Sequence, residues 1–247
     1  MSEGRFGGQD RPIGPGHLLA QAWKLYWPKA PVLVPTFVIA FMVLRELLLV
    51  VLIIDMPPLP LLLVVTLVQA VIPAFVGSVV LAPAVRILAT DTKEGLRDAW
   101  KALADVRPHI YRSAACSAGL ALFAAITLGP VGLIVQPMIL GPPLLLHEVV
   151  LHKRSLEGAW ERTKAMIATD ARPLALLLAI PAGVGLVLSI ALRAFGILSG
   201  DVPGVARGVV YFALQGALFG AAVPFVAAVA LLCYRELAST PGGEDAG

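Results

Sequence analysis

Long apolar runs decide what this chain can fold into. Pro31–Ile54 and Pro60–Ala89 each exceed the roughly 18–20 residues that cross the hydrocarbon core of a bilayer. Over all 247 residues 58% are hydrophobic and only 14% are charged, whereas ordinary soluble domains carry roughly 25% charge. A single soluble core of this size could not hide so much apolar surface, because most positions of such a fold face water. The sequence therefore implies a polytopic, all-α membrane protein. It argues against a soluble enzyme, a nucleic-acid binder and a secreted disulfide scaffold. A β-barrel would need alternating segments of about ten residues, and continuous Leu/Val/Ala runs do not supply them.

Six apolar segments are expected to be transmembrane helices, at about 31–54, 59–88, 109–128, 131–151, 173–195 and 206–234. Lys and Arg set their orientation. Of the 19 such residues, sixteen fall in the amino-terminal arm, the connections 86–112 and 152–172, and the carboxyl end. Only Arg193 and Arg207 lie in the opposite connections, and Arg45 is inside a span. Positive charge collects on the cytoplasmic side, which puts both termini inside. The outer connections (Asp55–Pro58, Gly129–Pro130 and about 196–205) are too short to house a domain. Residues 1–14 read as a flexible, glycine-rich arm, 15–237 as one six-span domain and 238–247 as a disordered tail. The first thirty residues show no signal-peptide pattern, so the first span is expected to be an uncleaved anchor.

An internal repeat organises the spans. The pattern L-x-x-A-W occurs at Leu19–Trp23, Leu96–Trp100 and Leu156–Trp160, and each copy is followed by a proline that opens an apolar span (Pro31, Pro108, Pro173). The second span of each unit also contains a proline: Pro83, Pro143 and Pro224. Three pseudo-repeats are implied, each an interfacial amphipathic helix plus a two-span hairpin, all in the same orientation. In the second copy Leu96, Ala99, Trp100, Leu103 and Val106 make an apolar stripe opposite Arg97, Asp98, Lys101 and Asp105. Leu156, Ala159, Trp160, Thr163 and Ile167 repeat it opposite Glu157, Glu161 and Arg162, and Leu19, Ala22, Trp23 and Tyr26 make the third. Such helices lie in the membrane interface, with Trp23, Trp100 and Trp160 as anchors at headgroup depth. Ser155 and Thr92 are expected caps for two of them. The three helices read either as a lipid-sensing or partner-docking platform, or as elbows that link hairpins and fix their tilt.

Residues that could carry chemistry are few. Arg45 and Glu46 sit near the middle of the first span, where a charge costs roughly 2.5–3.5 kcal/mol and calls for a partner or water. Neighbours on a helix point about 100° apart, so each is expected to reach another helix. Gln69, Gln136 and Gln215 lie in the outer halves of spans two, four and six and complete a candidate polar site. That cluster reads as a site for a headgroup, ion or proton, or as hydrogen bonds that fix helix packing. His147, Glu148 and His152 form H-E-x-x-x-H, one residue longer than the zinc-protease spacing that lets both histidines face one metal. Beside Lys153 and Arg154 they read as an interfacial salt-bridge cluster. No catalytic residue, metal site or cofactor is assigned. Cys116 and Cys233 read as small hydrophobes. Gly216-x-x-x-Gly220 reads as a helix-contact pattern.

The run Leu133–Gly141 entering Pro142–Pro143, then Leu156-Glu-Gly-Ala-Trp160, the hairpin after Arg172–Pro173 and the end Cys233-Tyr-Arg-Glu-Leu237 resemble a group of bacterial six-span proteins. Its best-named member is the membrane region fused to glycerophosphodiester phosphodiesterases. The resemblance covers nearly the whole chain and implies an architecture in the bacterial cytoplasmic membrane. No catalytic phosphodiesterase domain is expected here, and the family carries over no catalytic residues. The first expectation is a non-enzymatic scaffold or lipid-interacting module whose partners are membrane lipids and a cytoplasmic protein, with no nucleic acid. The second is a small carrier for a lipid, ion or polar metabolite, with its polar site at the bilayer midplane. An enzyme comes third.

Overall fold

The computed structural model describes residues 14–53, 58–90, 94–128, 143–169, 171–198 and 204–239. These are almost entirely helical, with no strand among the described residues. A short helix α1 (Pro15–Tyr26) passes through a 3-10 turn (Trp27–Lys29) into α2 (Ala30–Ile53), and α3 covers Pro58–Ala89. The next short helix, α4 (Leu96–Ala102), leads through a 3-10 turn (Ala104–Val106) into α5 (Arg107–Leu128), and α6 covers Pro143–His152. A third short helix, α7 (Leu156–Thr169), precedes the long α8 (Ala171–Leu198) and α9 (Gly204–Ser239). The described helix ends fall within a few residues of those read from the sequence, because Pro, Gly and charge mark them in both. The outer part of the expected fourth span, including Gln136, lies outside the described residues. Two helical stretches, Pro15–Val43 and Val209–Ser239, are long and apolar enough to cross a membrane.

The most extensive packing joins the first long helix to the last, α2 to α9, and α8 and α1 also lean on α9. On the other side α3 packs against α5, and α6 joins α3. The α2–α9 seam is built on two glycines. A Cβ at Gly216 would stand 2.7 Å from Met42 Cα, and one at Gly220 would stand 2.6 Å from Phe37 O and Val38 Cα. Advancing from 216 to 220 moves back from 42 to 38, so the helices run antiparallel. The GxxxG pattern thus works as read: small residues let two backbones meet. Phe37, Phe41 and Phe219 fill the space beside them and are fully buried.

Serines inside the apolar helices satisfy themselves locally. Ser78 Oγ donates to the Ala74 carbonyl at 2.8 Å and Ser117 Oγ to that of Ser113 at 2.9 Å. Such back-bonds avoid an unpaired hydroxyl where no water reaches.

Candidate functional site

Polar side chains gather at one end of the bundle, where the start of α2, the ends of α3, α6 and α9 and the short helices converge. The last carbonyls of α3 have no partner within their own helix, and side chains from distant elements supply them. Lys29 Nζ, in the turn before α2, donates to the carbonyls of Ile87, Leu88 and Thr90, the second at 3.2 Å. Arg235 Nη2, near the end of α9, donates to Ala89 O at 3.3 Å. Arg86 Nε reaches both Glu94 carboxylate oxygens, at 3.3 and 3.2 Å. Cations at a helix carboxyl end also suit the local dipole.

Between α6 and α9 lies a buried polar group. Glu148 is 1% exposed, and its Oε1 accepts from the Tyr234 hydroxyl at 2.8 Å. Arg154 Nε stands 3.4 Å from Glu148 Oε2. The wholly buried His147 ring stacks on Tyr234 with centroids 5.3 Å apart, and His152 lies 6.2 Å from the same ring. The salt-bridge reading of this segment thus holds for Glu148 and Arg154. Lys153 takes another course: its φ of 53° turns the chain out of α6, and its Nζ meets Asp105 at 3.5 Å. Tyr234 was not singled out from the sequence as a partner of Glu148. They are 86 residues apart, and no local spacing in the sequence joins them.

The short helices are amphipathic. On α4 and its 3-10 turn Ala99, Leu103 and Val106 are buried, while Arg97, Asp98, Lys101 and Asp105 are exposed, as the stripe predicted. Trp100 is half-buried under the Arg107 guanidinium, 5.2 Å from its ring, and meets the Tyr111 edge. On α1 the buried stripe is Leu18, Ala22 and Tyr26. Leu19 and Trp23 turn outward, and Trp23 stacks on Trp27 at 5.1 Å. On α7 Ala159, Thr163 and Met166 are buried, whereas Trp160 is 51% exposed. The apolar stripes read from the sequence on these two helices are thus divided between the protein interior (Ala22, Tyr26, Ala159, Thr163) and the outer surface (Leu19, Trp23, Trp160). Ser155 caps α7, its Oγ accepting from Gly158 N–H at 3.3 Å. Thr92 lies outside the described residues, and α4 begins only after Gly95.

Of the expected midspan polar site, Arg45 and Glu46 are backbone members of α2 and Gln69 of α3. Gln215 is half-buried on α9 beside Gly216. Continuing the antiparallel register of the glycine seam brings residues 45–46 level with about residues 212–213 of α9, within a turn of Gln215.

Outward faces of the long helices are apolar: Ile39 and Val43 on α2, Leu120 and Phe123 on α5, and Leu186, Val187 and Ile190 on α8 are all exposed. A groove of about 620 Å³ crosses this surface where α7 passes α5. No family model, curated protein or solved structure matches the chain.

Proposed function

We propose that the chain is a non-enzymatic, six-span protein of a bacterial cytoplasmic membrane, acting as a lipid-interacting module or scaffold at the cytoplasmic face. The observation that carries this reading is the division of its surface. Exposed Leu, Ile, Val and Phe clothe the long helices, while Lys29, Arg86, Lys153, Arg154 and Arg235 collect at one end. A water-soluble monomer rarely exposes so broad an apolar face, and cations gather on the cytoplasmic side of membrane proteins. Helices of 22 to 36 residues (α2, α3, α5, α8 and α9) reach or exceed the roughly 30 Å of hydrocarbon at 1.5 Å per residue. Exposed Trp23 and Trp160 on short helices supply the aromatic anchoring expected at headgroup depth. The order of one short helix before two long ones, seen at α1–α3 and α7–α9, supports parallel repeats, which we extend to three with both termini cytoplasmic. The likeness to the membrane region of glycerophosphodiester phosphodiesterases is part of the same proposal.

Fractionation tests it. The protein should stay with membranes through alkaline carbonate, leave them only in detergent, and carry phospholipid in native mass spectra. Release by carbonate as a detergent-free monomer would contradict it.

A second reading, a small carrier, rests on one observation: the register that brings Arg45 and Glu46 level with Gln215. It predicts that a small polar ligand is retained by the wild type and lost from a folded Arg45→Leu/Glu46→Leu variant. A variant that folds and keeps the ligand would end that reading.

A further inference from the structure

The groove between α5 and α7 has the chemistry of a seat for one particular kind of lipid. Its walls are Cys116, Gly119 and Leu120 on α5 and Leu156 and Trp160 on α7, with Leu145 of α6 as floor. Its volume of about 620 Å³ lies within the range of roughly 300–1,000 Å³ typical of ligand pockets. It is open at Gly119, where an added Cβ would meet nothing within 4 Å. Two carboxylates, Glu157 and Glu161, stand on the lip that α7 provides. Glu161 shares its charge with Lys164 at 3.2 Å. Glu157 is exposed and pairs with no cation among the described residues. Arg112 lies one turn before Cys116 on the same exposed face of α5, and it pairs with no carboxylate among the described residues. One rim of the groove thus offers acceptors for a cation, and a neighbouring guanidinium offers donors for a phosphate. Between them run only apolar walls.

We infer that this groove holds an acyl chain of a phospholipid whose headgroup bears a primary ammonium, of the phosphatidylethanolamine class. The ammonium meets Glu157 and Glu161, and the phosphate meets Arg112. This rests on the membrane reading above. An anionic headgroup without an amine would bring negative charge against two carboxylates. A quaternary ammonium would keep the attraction but lose the three N–H donors. The lip is solvent-exposed, so each carboxylate should count for about a threefold preference.

The full chain in nanodiscs tests this, because Cys116 is exposed in the groove and Cys233 is buried. Cys116 should react more slowly with uncharged N-ethylmaleimide in discs containing phosphatidylethanolamine than in discs of phosphatidylglycerol. Phosphatidylcholine should fall between them. Native mass spectra should show a retained phosphatidylethanolamine. Gly119→Leu, whose Cβ would meet nothing within 4 Å, places bulk in the groove and should abolish both signals. Glu157→Gln with Glu161→Gln, on the exposed face, should cut the headgroup preference by roughly tenfold while leaving the fold intact. Equal reactivity in all lipids, or a retained lipid indifferent to both variants, would overturn the proposal. So would protection that accompanies a doubled mass and a Cys116–Cys116 crosslink, since the occupant would then be a second copy. A chain that sits in the disc with Cys116 freely reactive defeats the groove alone, whereas one that never enters the disc defeats the membrane reading as well.

Discussion

Two stretches of the same helix hold the protein together by opposite means. Around Gly216 and Gly220, α9 meets α2 backbone to backbone, with no room for a single methyl group. Around Tyr234 and Arg235, about four turns on, α9 meets α3 and α6 through a buried hydroxyl–carboxylate bond and a capped helix end. The difference follows from the surroundings. In the membrane proposed above, lipid competes with apolar side chains for apolar segments, so close packing is what distinguishes one helix face from another. At the end of the bundle the helix carbonyls and connecting loops bring polar groups that must be satisfied, and they select specific partners.

The comparison predicts a ranking of damage. Gly220→Leu should do most, since it drives a side chain into the Phe37 and Val38 backbone, which cannot yield as a side chain would. Overpacking of about 3 kcal/mol or more should appear as loss of the monodisperse peak in detergent size-exclusion chromatography. Tyr234→Phe comes next. It leaves a buried carboxylate one donor short, a loss of about 2 kcal/mol, read as a lowered midpoint of thermal unfolding. Lys29→Met should cost about 1 kcal/mol, because three carbonyls at the end of α3 lose their cation but can turn to water. Lys153→Gly should be smallest and of opposite sign. Glycine relieves the left-handed backbone, and the exposed pair with Asp105 contributes little, so the midpoint should hold or rise by the equivalent of less than about 1 kcal/mol. A Tyr234→Phe protein less stable than Gly220→Leu would invert the account of the two stretches.

How much of this could be read from the residues differs between the same two regions. The glycine seam was legible as a pattern, because a four-residue spacing of small residues is a local signal, although its partner α2 was not. Helix ends were legible for the same reason: Pro, Gly and charge interrupt the apolar runs. The face of α4 was legible because only one of its sides is apolar. Trp23 and Trp160, read as interfacial anchors, are exposed, while Ala22, Tyr26, Ala159 and Thr163 of the same apolar stripes are buried. Where both protein and lipid welcome apolar groups, periodicity gives the helix without saying which side turns inward. The bond from Tyr234 to Glu148 joins residues far apart in sequence, and no spacing rule reaches that distance. Arg45, Glu46 and Gln69 were found by their cost in a membrane, and the helices that carry them were found with them. Their common purpose rests on the second reading proposed above.

Topology mapping probes the division of the surface into an apolar girdle and one cationic end. In a Cys116→Ser background that keeps the buried Cys233, one added cysteine at a time at Lys101, Lys164 and Ser239 would be challenged with a membrane-impermeant maleimide in intact spheroplasts and in inside-out vesicles, beside one at Asp201. The first three should react only in inside-out vesicles and the fourth only in spheroplasts. Reaction of Lys101→Cys or Lys164→Cys from outside, or of all four from both sides, would contradict it.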